Sequence, residues 1–222
     1  MVGVLQSPKN VFWEALILTV VVFVFGLFLG LALEKSRISD INDYYVSSEI
    51  SLIDTLALND ATSFENTSCS DLILGNLLFA DKIYIESKIL EDYEEANKLS
   101  DSLKLVHKRY DLLRTLLWIN ANNVKLQCKG DFSVVVYLYE RETTDLAQKA
   151  SQNVWSKVLK DFKEEEGANI VLIPIATDSD LSSLRVIVSR YDLDSYPVVI
   201  VNDQVIDQLK SVQGLKEYID KS

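Results

Sequence analysis

Residues 132–139 read Phe-Ser-Val-Val-Val-Tyr-Leu-Tyr, and the fold turns on this run. β-Branched and aromatic residues with no intervening charge favour a strand buried on both faces. Working outward, Thr144 or Asp145 offers an N-cap to a helix reaching about Lys163, with Leu146, Val154, Val158 and Phe162 turned inward and Gly167 past its end. Asn169 to Ile175 (Asn-Ile-Val-Leu-Ile-Pro-Ile) predicts a second strand, and Leu181 to Tyr191 a second helix. Val198 to Val201 predicts a third strand, Asn202-Asp203 a tight turn, Gln204 to Ile206 a fourth strand, and Val212 to Ile219 a last helix. The order β-α-β-α-β-β-α describes an α/β domain over residues 130–222. The handedness of crossovers makes its first two strands parallel, with helices covering the sheet.

This order resembles the minimal thioredoxin fold, and Tyr196-Pro197 directly before Val198-Val199-Ile200-Val201-Asn202-Asp203 strengthens the resemblance. Across residues 130–222 the resemblance implies a cis proline at Pro197, starting the third strand beside the active-site loop. A cis X-Pro bond costs only about 0.5–1 kcal/mol, so a turn can select it. The resemblance also implies that the main chain of Tyr196 pairs with a bound peptide. The chain as a whole is similar to small membrane-anchored archaeal proteins in which a helical hairpin precedes such a domain. It departs from the family where the chemistry lies. Redox-active members place C-x-x-C between the first strand and first helix, where the helix N-terminus favours a thiolate. Here that segment is Glu140-Arg141-Glu142-Thr143-Thr144-Asp145-Leu146, with Thr143 and Leu146 at or near the two cysteine positions. Neither can ionise to a thiolate, and the first strand lacks the buried carboxylate that many members use for proton transfer. Thr143 and Thr144 have no histidine in the domain to act as base. Glu140, Glu142 and Asp145 read as helix-capping carboxylates. Asp178 and Asp180 form a D-x-D without the glycine and final glutamate of an EF-hand loop, so no metal is expected there.

Residues 34–129 carry 16 acids and 11 bases, a single glycine, Gly75, and no proline, which favours long helices. Ile38, Ile41, Tyr45, Leu52 and Leu56 fall largely on one face of a first helix, and a second runs from about Ser70 to Leu99. In a third, beginning near Ser100, Leu103, Val106, Tyr110, Leu113 and Leu117 make a packing seam. The lone His107 beside that seam reads as an exposed or half-buried helix residue, and Glu91, Asp92, Glu94 and Glu95 as a solvated face. Cys69 opens the second helix and Cys128 closes the third, so antiparallel helices would bring the two sulfurs together. Two buried, reduced thiols are the alternative, but the cysteines are the only pair in the chain and both sit at helix ends, which favours a structural disulfide between Cys69 and Cys128. Asn66-Thr67-Ser68 matches an N-glycosylation acceptor in a loop. Cysteine pair and sequon together lean towards an oxidising, extracytoplasmic compartment.

At the amino terminus, residues 1–10 form a short tail, and Val11 to Leu33 is an apolar run whose one charge is Glu14. Its 19 uncharged residues from Ala15 reach roughly 28 Å as a helix, about the thickness of a bilayer's hydrocarbon core. Trp13 and Glu14 suit the interface. A cleaved signal peptide is the rival, with Gly30-Leu31-Ala32 resembling a small-x-small site, but the apolar stretch exceeds the usual signal core. An uncleaved bilayer anchor over residues 11–33 is favoured. Gly26 and Gly30 form a G-x-x-x-G through which two anchors would pack as a homodimer, although glycine is common in membrane helices generally.

The expected organisation is therefore a tail (1–10), an anchor (11–33), a helical stalk (34–129) and an α/β domain (130–222). The formal charge of −11, from 22 basic and 33 acidic residues, falls wholly on the last two segments and argues against nucleic-acid binding. Two cysteines and one histidine cannot close a structural zinc site, and no phosphate-cradling glycine motif occurs, so no cofactor is expected. The expected function is a membrane-tethered, redox-inactive module that binds a peptide or protein, or acts as a scaffold, through Thr143, Thr144, Tyr196 and Pro197. The alternative is a thiol–disulfide oxidoreductase using Cys69 and Cys128.

Overall fold

The structure, a computed structural model, describes residues 8–60, 68–96, 101–128 and 132–219. The sequon residue Asn66 lies outside them. Helix α1 runs Pro8–Asp60, and the chain divides into two compact units, Met1–Tyr44 and Tyr45–Ser222. In the first unit, Phe12–Leu33 is long and apolar enough to cross a membrane, and its side chains are exposed along the whole stretch.

The second unit is a mixed α/β structure. Two long helices, α2 (Cys69–Ala96) and α3 (Asp101–Cys128), precede β1 (Ser133–Tyr139), α4 (Leu146–Glu166) and β2 (Ile170–Ala176). There follow α5 (Ser182–Val188), β3 (Val198–Val201), β4 (Gln204–Ile206) and α6 (Val212–Ile219). The sheet order is β2-β1-β3-β4. β1 and β2 are parallel, with Ser133 opposite Ile170 and Tyr139 opposite Ala176, while β3 runs antiparallel to both β1 and β4. Asn202 and Asp203, both at positive φ, make the two-residue turn that matches the strand twist between β3 and β4.

Because residues alternate across a strand, β1 must be covered on both faces. Val135 and Tyr137 join Trp155, Leu159 and Phe162 of α4 and Leu215 of α6 in one core. The opposite residues Val134, Val136 and Leu138 are equally buried, on the side where α2 and α3 pack against β1 and β2. The compositional boundary near residue 130 is therefore not a packing boundary. The helices expected to form a stalk supply the sheet's second cover, with Leu113, Leu117, Trp118, Ala121 and Val124 of α3 buried. His107, expected at least half exposed, is buried as well.

Helix α4 begins where expected: the Asp145 carboxylate accepts from the amides of Ala147 and Gln148, and Gly167, at φ 55°, ends it. Its inward face differs from the one read in the sequence. Gln152, Trp155, Leu159 and Phe162 are buried, whereas Leu146 is 82% exposed and Val154 also faces outward. The face is set by Trp155, the bulkiest apolar residue of the helix, and its neighbours one turn away follow it inward.

Candidate functional site

β1 and β2 stop side by side at Tyr139 and Ala176, and three chain segments converge just beyond them. Thr177 is tied to Tyr139 through both its amide and its hydroxyl, which donate to the Tyr139 carbonyl at 2.8 and 3.1 Å. The third segment brings in Tyr196-Pro197, joined by a cis peptide bond, with Pro197 buried and Tyr196 half-buried. Between Tyr196, Thr177 and α5 lies an open cleft of about 420 Å³, with Leu181, Leu184 and Val188 as its apolar wall and Asp178, Asp180, Arg185 and Ser189 among its polar lining. Burial pushes the Tyr196 phenol above its ordinary pKa, opposed by a hydrogen bond with Thr177 and reinforced by the charge of Glu140.

The turn from β1 into α4 approaches Tyr196 through Glu140. Thr143 Oγ1 bonds Gln148 Oε1 at 2.6 Å, and Gln148 Nε2 donates to Glu140 Oε2 at 2.9 Å. Buried Gln152 clamps the Glu140 main chain from both sides, accepting its amide and donating to its carbonyl. Thr143 is thus engaged in holding the turn, Thr144 is exposed, and Leu146 projects into solvent at the first turn of α4. The cleft beside Tyr196 has an apolar wall with a polar rim, the ordinary make-up of a binding cleft.

A second cluster lies on the α3 side of the same strand ends. Asp111, wholly buried, accepts from Arg114 at 3.4 Å, from both terminal nitrogens of Arg141 at 3.2 Å, and from the Ala176 amide at 3.3 Å. Burial raises the pKa of Tyr139, whose hydroxyl lies 3.5 Å from Arg141, although both arginines pull it down. A smaller cleft of about 240 Å³ opens in front, lined by Lys104, His107, Lys108, Arg141, Glu142 and Asp178–Asp180.

Cys69 and Cys128 are joined in a disulfide, with Cα atoms 5.5 Å apart, between the start of α2 and the end of α3. Lys125, one turn before Cys128, reaches the β3–β4 turn, where it donates to Asn202. The cysteines therefore sit in a part of the unit built on that turn, whereas the clefts line up with the far ends of β1 and β2. Sequence reading reached Tyr196, Pro197 and Thr143, but it missed Asp111, Arg114 and Arg141. The available signal was the recurrence of Lys104, His107, Lys108, Asp111 and Arg114 at intervals of three and four, overlaid on the apolar seam of α3. Comparison with protein-family models, with curated proteins and with solved structures finds no match to this chain.

Proposed function

We propose that the chain is a membrane-tethered, thioredoxin-like protein without dithiol chemistry, and that its cleft beside Tyr196 binds an extended segment of a peptide or partner protein. The observation that carries this reading is the position of Tyr196-Pro197, directly before β3, with Tyr196 lining the larger cleft. The strand order β2-β1-β3-β4, with α4 and α6 on one side, supports the thioredoxin-like assignment. Thr143 and Leu146 at the start of α4 support the absence of dithiol chemistry, because the chain's two cysteines are bonded to each other elsewhere. Exposed Leu146 adds apolar surface for a partner at the neighbouring turn.

Tethering rests on Phe12–Leu33, and an extracytoplasmic position on the disulfide, which persists in oxidising compartments. The test uses the full chain in detergent micelles against an unfolded, fluorescently labelled polypeptide. Saturable binding is expected, and Tyr196→Ala should weaken it about tenfold, the order expected for an aromatic anchor. Absence of binding, or identical affinity for Tyr196→Ala, would refute the peptide-binding role.

A further inference from the structure

We propose that the smaller cleft, between α3 and the turn after β1, binds a small oxyanion (a phosphate monoester or a carboxylate) through Arg141 and Lys108, with Arg114 adding buried positive charge behind them. The cluster has one carboxylate for two guanidinium groups. Asp111 is fully buried, and the side chains of Arg114 and Arg141 are only 5% and 17% exposed. The contacts among them run from 3.2 to 3.5 Å, longer than the roughly 2.7–2.9 Å of a well-made charge-assisted bond. Arg114 Nε is buried with no hydrogen-bond partner. Tyr139 offers no compensating phenolate, since burial keeps its hydroxyl protonated at neutral pH. One positive charge is therefore left over in a region shielded from water, where an unneutralised ion is costly.

The cleft opens onto this excess charge, and it also contains the carboxylates of Glu142, Asp178 and Asp180, which by themselves repel an anion. Two of the three are paired with cations and well exposed. Glu142, 56% exposed, pairs with Lys104 at 3.0 Å, and Asp180, 76% exposed, pairs with Arg185 at 2.6 Å. The Asp178 carboxylate accepts the Glu142 amide at 2.8 Å. Solvent and salt screen charges at the rim far more than they screen Arg141 and Arg114. An oxyanion entering the cleft meets Arg141 and Lys108 while the rim acids remain engaged with their own partners. The site uses α3 and Arg141 and does not depend on Tyr196 or on peptide binding.

The test is calorimetric titration of the full chain in detergent micelles with inorganic phosphate and, separately, with acetate, at an ionic strength held constant by chloride. Saturable one-to-one binding of at least one anion is expected, and the one that binds identifies the ligand class. Lys108→Glu should weaken it at least tenfold, and Arg141→Met should abolish it. Lys157→Glu makes the same charge change on α4, across the sheet, and should leave affinity unaltered. If Arg141→Met fails to fold, Lys108→Glu and Lys157→Glu still decide the matter. No saturable binding of either anion, or equal losses in Lys108→Glu and Lys157→Glu, would overturn the proposal.

Discussion

Asn202 shows how much one side chain can carry. It stands at φ 48°, a left-handed conformation that asparagine tolerates better than most residues. Its Oδ1 accepts the Val134 amide at 3.0 Å and Lys125 Nζ at 2.7 Å, while its Nδ2 donates to Ser133 Oγ at 3.0 Å. One residue thus closes the β3–β4 turn, fixes the start of β1 and anchors the end of α3. Asn202→Ala loses both the backbone tolerance and the hydrogen bonds, and should cost about 2–3 kcal/mol in urea unfolding. Asn202→Gly keeps the tolerance and should cost roughly 1 kcal/mol less, so equal losses would show the backbone conformation to be irrelevant. The residue pair Asn-Asp was legible as a turn because its chemistry is local. The three bonds were not, since their partners lie 68 to 77 positions away.

At the scale of elements, α2 and α3 are held together by apolar packing, by a polar pair and by the disulfide. Asn120 Nδ2 donates to Asn76 Oδ1 at 2.9 Å inside the interface, and Asn76 Nδ2 donates back to the Leu72 carbonyl. Such a pair aligns one helix against the other, because a shift by a turn would strand Asn120 Nδ2 and Asn76 Oδ1. The disulfide closes a loop with a sequence separation of 59. Replacing both cysteines by serine should lower stability by about 2–4 kcal/mol, measured by denaturant unfolding of oxidised wild type and the double variant. A loss near zero would mean the helices are fully fixed without it. Helix-end placement of the cysteines was readable from sequence as soon as the helices were taken as antiparallel. The face of α4 was misread, because Leu146 and Val154 satisfy an apolar count while only the sheet determines which way Trp155 points.

Across the whole second unit, four tyrosines answer to alkaline pH together. Burial raises the pKa of Tyr137, Tyr139, Tyr191 and Tyr196, and for Tyr191 the bond to Asp203 adds to the rise. The native state holds protons that the unfolded chain releases above about pH 10, so stability is intact below that pH and falls as pH rises beyond it. Lys125 contributes with the opposite sign, because burial lowers its pKa, with Asp203 opposing the shift. Four shifted phenols outweigh one ammonium. Ionisation of these four phenols, followed by phenolate absorbance, should therefore lag behind that of free tyrosine and coincide with loss of far-ultraviolet ellipticity. Simple titration of all tyrosines near pH 10 with the fold intact would contradict this. The sequence by itself determined the strands, the turns, the apolar stretch at 11–33 and the absence of cysteine from the turn into α4, because each depends on residue type, periodicity or near neighbours. It also located Tyr196-Pro197. Only the tertiary structure decided that the helical segment covers the sheet rather than standing apart from it. The same packing decided that Asp111 and Arg114, distant in sequence from Arg141, meet it at the ends of β1 and β2. A strand buried on both faces needs two covers, and no local pattern says which helices provide the second.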